Sequence, residues 1–142
     1  MQVHKSWLLR ILSPITVLAL FALASCDDED PTKPDGLDFS GTYQLVSILP
    51  PGLPELEPPA ATGTLTLTFT TFDVDVTIDL PDPQGQQIQD QGSYTIDGSI
   101  WSQESSVTGD QSVGSYGYNG TRLELTTTTR GLTTFTVWSK TP

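Results

Sequence analysis

The chain has 142 residues, with 17 Asp and Glu against 6 Lys and Arg, a formal charge of −11, one cysteine and one histidine. That length bounds it to one folded domain beside any targeting segment. The acidity argues against nucleic acid and anionic lipid surfaces as partners, and a single thiol excludes an intramolecular disulfide.

In chain order, His4, Lys5 and Arg10 precede an apolar run over residues 11–23 that ends in small residues. This is the layout of a secretory signal peptide over residues 1–25. Interrupted by Ser13, Pro14 and Thr16, the run is too short for a spanning helix, which needs about 20 apolar residues. Leu23-Ala24-Ser25-Cys26 resembles the lipobox of bacterial lipoproteins: an aliphatic residue, two small ones and the cysteine that receives the lipid. The resemblance implies lipid attachment at Cys26 and the membrane as a partner through that anchor. Two or three acyl chains hold a protein durably where one myristoyl chain does so only marginally.

Residues 27–38 read as a tether. Asp27-Asp28-Glu29-Asp30 and Pro31-Thr32-Lys33-Pro34-Asp35-Gly36 are too charged and too rich in Pro and Gly to pack. An acidic run directly after the cysteine resembles the surface-export signal of Bacteroidota-type lipoproteins, whereas a single Asp there resembles the inner-membrane retention signal of enteric bacteria. Four acids in a row favour the outer membrane and its outer face, and a merely solvated spacer is the plain alternative. Beyond Cys26, Lys33, Arg122, Arg130 and Lys140 face all seventeen carboxylates, a balance of −13.

From residue 39 onward no stretch has helical periodicity, and Val, Ile, Leu, Thr and aromatics dominate, so this is an all-β domain over residues 39–142. Gly41 opens a first strand to Leu49. Leu65, Leu67 and Phe69 alternate with threonines, and Phe72, Val74, Val76, Ile78 and Leu80 with Asp73, Asp75, Thr77 and Asp79. Tyr94 with Ile96, then residues 100–108 and 112–118, then Leu123 with Leu125, and lastly Phe135 with Val137 as the inward pair against Thr134 and Thr136, complete eight strands. Asp97-Gly98, Gly109-Asp110, Asn119-Gly120 and Arg130-Gly131 are tight-turn signals. Short turns join neighbours in space, and eight such strands close into an antiparallel up-and-down barrel without exposed edges. Alternate loops share an end. The long connections, 50–61 and 81–91, therefore fall at one mouth, with Asp97-Gly98 and Asn119-Gly120 closing the other.

Phe39-Ser40-Gly41-Thr42-Tyr43-Gln44-Leu45-Val46-Ser47, the segment Gly92-Ser93-Tyr94-Thr95-Ile96-Asp97-Gly98 and the hairpin Asn119-Gly120-Thr121-Arg122-Leu123-Glu124-Leu125 resemble strands of bacterial lipocalin-like lipoprotein domains. Tyr43 stands where that pattern usually has Trp. The resemblance implies a lipocalin-like barrel and a small apolar ligand, with Tyr43, Tyr94 and the inward Leu, Val and Phe as its wall. Leu53 and Leu56, an apolar pair on a proline-rich loop, are expected as a lid over the mouth.

Catalytic readings find little support. His4 leaves with the signal peptide and the one thiol is acylated, which removes Ser-His-Asp, Cys-His and Cys/His zinc chemistry. Asp73-Val74-Asp75-Val76-Thr77 matches a phosphatase signature, but its carboxylates alternate outward along a strand and read as a solvated face. Read as a calcium loop from Asp73, the same stretch lacks the required Gly at Ile78 and the Glu at Gln84. Asn119-Gly120-Thr121 is explained by its turn. The sequence implies no enzyme, no cofactor and no metal, and names no protein partner. Two classes remain: a ligand-holding cup, and a non-enzymatic surface interaction module with a filled barrel. Eight strands enclose room for either, and the large inward residues, with Trp101 and Trp138 assigned to packing, favour the filled core.

Overall fold

Alternating β-formers separated by turn residues become, in the computed structural model, eight strands: β1 (Gly41–Leu49), β2 (Ala61–Leu67), β3 (Thr71–Ile78), β4 (Gln86–Asp97), β5 (Ile100–Ser105), β6 (Gln111–Tyr118), β7 (Arg122–Thr129) and β8 (Leu132–Lys140). The structure describes residues 37–80 and 85–142, which contain no helix. The expected signal peptide, Cys26 and the expected tether up to residue 36 lie outside the described residues. Each strand pairs antiparallel with the next, and β8 returns to β1, giving a closed up-and-down barrel. An eight-stranded barrel of this connectivity has the lipocalin architecture.

Local chemistry sets the joins. Thr129 pairs with Leu132 across a two-residue turn in which Arg130 (φ 50°) and Gly131 (φ 82°) are both left-handed, the twist that a tight hairpin requires. Asn119 Oδ1 accepts from the backbone N–H of Thr121 (3.1 Å) and Arg122 (2.8 Å), fixing the β6–β7 turn. In two places adjacent backbones come so close that only hydrogen fits. A Cβ on Gly92 would lie 1.9 Å from the Glu104 carbonyl oxygen, and one on Gly114 would lie 1.6 Å from that of Thr126.

The core follows the inward faces: Tyr43, Leu45 and Ile48 of β1, Leu65 and Leu67 of β2, Phe72, Val76 and Ile78 of β3, Tyr94 and Ile96 of β4, Trp101, Leu123, Leu125 and Trp138. In β1 the register slips between Leu45 and Ser47. This bulge adds one residue, so Leu45 and Ile48 both face the core although three positions separate them.

Several expectations are corrected. Phe69 is not inward: β2 ends at Leu67, and Phe69 sits in the β2–β3 turn at 46% exposure. The alternation of β8 has the opposite phase to that expected. Trp138 belongs to the core cluster, and Thr134 and Thr136 line the interior with it, which turns Phe135 and Val137 outward. Val137 is buried apart from the core cluster, opposite Ser47 at the bulge. The connection after β3 is shorter than 81–91, because Gln86–Gln91 is already strand, paired with Asp73–Ile78. Strand β5 stops at Ser105, and β7 and β8 run on to the turn at Arg130 and Gly131.

Candidate functional site

The two ends of the barrel differ. At one end lie the start of β1 and the turns β2–β3, β4–β5 and β6–β7, and there the interior is filled by rings. Tyr94 stacks on Trp101, with centroids 4.4 Å apart and planes 4° from parallel. Phe39 packs edge-on against Trp101 (6.3 Å) and Tyr116 (5.3 Å) and tilted against Tyr118 (4.8 Å). Such pairs add to plain area burial.

The four tyrosine hydroxyls tie this end together. Tyr43 donates to the Phe39 carbonyl (2.7 Å), Tyr94 to Thr68 (2.8 Å), Tyr116 to Gly98 (3.0 Å) and Tyr118 to Gly120 (2.8 Å). Three of these acceptors belong to the three closing turns, and the fourth precedes β1. Burial pushes the Tyr94 hydroxyl up to about 12, aided by the charge of Asp38. Burial raises Tyr43 further, with Tyr118 beside it adding to the shift. Lys140, the cross-strand partner of Tyr43, carries its Nζ over the Tyr43 ring, 5.8 Å from the centroid.

At the opposite end the side chains do not meet, and a cavity of about 190 Å³ opens to solvent. Its floor is formed by Trp101, Trp138, Phe72 and Leu125, the upper surface of the packed half. One wall is apolar: Ile48, Leu65, Val74, Val76 and Ile88 from β1 to β4. The other is polar: Gln103, Thr127, Thr134 and Thr136 from β5, β7 and β8, with Asp90 of β4 beside them. The indole N–H groups of the floor are engaged within the wall, Trp101 by Gln103 Oε1 and Trp138 by Thr136 Oγ1, both at 2.8 Å. Asp90 Oδ1 accepts from Ser105 Oγ (2.6 Å) and from the Gln91 N–H (2.8 Å).

Tyr43 and Tyr94 therefore belong to the plug at the closed end. Tyr94 reaches the cavity only through Trp101, on which it stacks. The loop between β1 and β2 folds back on β1 at the open mouth: Ile48 and Leu56 exchange backbone hydrogen bonds of 2.9 and 2.8 Å, and Leu56 joins the core. Leu53 is half-buried. Sequence reasoning did not single out Gln103, Thr127, Thr134, Thr136 or Asp90, because polar residues on an inward face look like solvent-facing ones. Asp73 and Asp75 stand on the outer face, where Gln89 donates to Asp75 (2.8 Å). Among the described residues no three His, Cys, Asp or Glu side chains are grouped to hold a metal ion.

No protein-family model matches the chain, and no curated protein does. Solved structures with a similar barrel include a lipocalin-like protein from Bacteroides uniformis, 16% identical, covering 74% of this chain and 100% of that one at a TM-score of 0.49. An uncharacterized protein from Bacteroides eggerthii is 13% identical, covering 73% and 100% at 0.48. Fatty-acid-binding protein 1 of Echinococcus granulosus is 10% identical, covering 73% and 98% at 0.41. The barrel is lipocalin-like in fold. What its cavity accepts has to be read from the residues that line it.

Proposed function

We propose that this protein is a non-catalytic, lipid-anchored envelope lipoprotein that holds a small, largely apolar ligand in the open half of its barrel. The observation that carries the reading is the cavity of about 190 Å³ over a floor of two tryptophans. An apolar cavity of about 150 Å³ holds a benzene ring, whereas drug-sized ligands need roughly 300–1,000 Å³. The occupant is thus a one-ring molecule or a short branched chain, not a long acyl tail. The packed closed half sets that limit.

Anchoring rests on the sequence Leu23-Ala24-Ser25-Cys26, and the acidic run behind it supports display on the outer face of the outer membrane. The described chain enters the barrel at the closed end, where Phe39 is buried under the aromatic plug. An anchor joined there leaves the mouth at the far end of the barrel, open to incoming ligand.

Two measurements test the proposal. Mass spectrometry of small molecules released from the purified protein should identify a bound compound of this size, and Cys26→Ala should abolish acylation and move the protein to soluble fractions. No retained or added ligand at any concentration would end the carrier reading. Wild-type-like detergent partitioning of the Cys26→Ala variant would end the anchor.

A further inference from the structure

The charge around the cavity narrows the ligand class, on the premise that the cavity is the binding site. Among the described residues Asp90 is the only charged one in its lining. Among the described residues the cations are engaged elsewhere: Arg130 with Asp110 (2.6 Å), Arg122 with Glu124 (2.9 Å), and Lys140 near Tyr43 at the closed end. A carboxylate ligand would enter a protein of formal charge −11 and find an aspartate and no base. Close like charges disfavour one another, and an ammonium facing a part-buried carboxylate makes a short, charge-assisted hydrogen bond.

The position of Asp90 suits that task. From Gly92 to Asp97 β4 pairs with β5, and the Gln91 carbonyl still accepts from the Ser106 N–H (2.8 Å), but from Gln86 to Asp90 the strand pairs with β3 alone. Asp90 therefore lines the cavity and also a hollow on the outer side beside Val107. It stands where the interior opens sideways between β4 and the β5–β6 loop. Both hydrogen bonds to its carboxylate fall on Oδ1, which leaves Oδ2 without a partner among the described residues. The apolar wall begins beside Asp90: Val74 is its cross-strand partner on β3, Val76 and Ile88 form the next inward pair, and Leu65 and Ile48 continue the wall round β2 and β1.

We infer that the cavity selects small amines: an apolar body lies on the tryptophan floor against β1 to β3, and a protonated nitrogen meets Asp90 at the lateral opening. Fatty acids and other anions are excluded by the same residue.

Three probes that share one ring separate the possibilities: benzylamine, benzyl alcohol and benzoate, each titrated into the full chain carrying Cys26→Ala and followed residue by residue by NMR. Benzylamine should bind at least about tenfold more tightly than benzoate, the equivalent of one charge-assisted contact, with shifts at Ile88, Gln103 and Thr134. Asp90→Asn, which keeps an acceptor for Ser105, should bring benzylamine down to the affinity of benzyl alcohol. Benzoate binding as tightly as the amine, or an amine preference that survives Asp90→Asn with shifts confined to the outer Asp73–Asp75 face, overturns the inference. If the alcohol fills the cavity without any preference for the amine, the carrier reading stands and only the ligand class falls. If none of the three shifts a cavity residue, both fall.

Discussion

Leu53 and Leu56 form one apolar pair in the sequence, and the structure separates them. Leu56 is 7% exposed, lies in the core cluster and is bridged to Ile48, whereas Leu53 is only half-buried. Replacing Leu56 by Ser removes the transfer free energy of a buried leucine, leaves a partial cavity and places a hydroxyl in an apolar site, together about 3 kcal/mol. At about 4–8 °C per kcal/mol for a domain of this size, the melting temperature should fall by roughly 12–24 °C. Leu53→Ser gives up about half a side chain's burial, about 1 kcal/mol, and should shift it by roughly 4–8 °C. Thermal unfolding followed by circular dichroism on the two single variants measures the split. Equal shifts, or a Leu56→Ser shift as small as that of Leu53→Ser, would refute the placement of Leu56 in the core and restore the pair as a detachable lid.

Gly114→Ala should cost upward of about 3 kcal/mol or prevent soluble expression, since its Cβ would meet the Thr126 carbonyl oxygen at 1.6 Å. Gly117→Ala, whose nearest contact is the Glu124 side chain at 3.7 Å, should be nearly neutral, and equal tolerance of the two would contradict the β6–β7 approach. Tyrosine ionises near pH 10 when unfolded and Tyr94 near 12 when folded, so the raised native value contributes stability that is intact below about pH 10 and lost as pH climbs towards 12. Denaturant midpoints should fall over that window, less steeply in Tyr94→Phe, and a flat profile would rule out the buried tyrosine latch. Protease added to intact cells of a Bacteroidota-like host should remove the domain, and protection that disappears on lysis would place it on the periplasmic side.

The sequence by itself determined the architecture wherever one face of a strand is apolar and the other polar. Phe72, Val74, Val76 and Ile78 in β3, Tyr94 and Ile96 in β4, and Leu123 and Leu125 in β7 mark their inward faces by period two, and the turns at Gly98, Asn119 and Arg130 follow from residues that tolerate left-handed backbone. Strand count and nearest-neighbour pairing come from those two signals together. The cavity was invisible for the same reason that it is interesting. Around the mouth the inward face is itself polar: Gln86–Gln91 carries Asp90 inward beside glutamines facing out, and β7 and β8 place Thr127, Thr134 and Thr136 inside among threonines that face solvent. With similar polarity on both faces no alternation survives, so β4 began too late and β8 was read in the wrong phase. Only closure of the barrel decides which of those faces is inside. The register of β1 on β8, shifted by the bulge after Leu45, sets Thr134, Thr136 and Trp138 on the interior. Nor does the sequence separate filled core from open cup, because that depends on where the rings gather. The tertiary structure draws Phe39, Tyr43, Tyr94, Trp101, Tyr116 and Tyr118 to the end whose turns the hydroxyls of Tyr94, Tyr116 and Tyr118 reach, and leaves the other end to smaller and polar side chains that cannot span it.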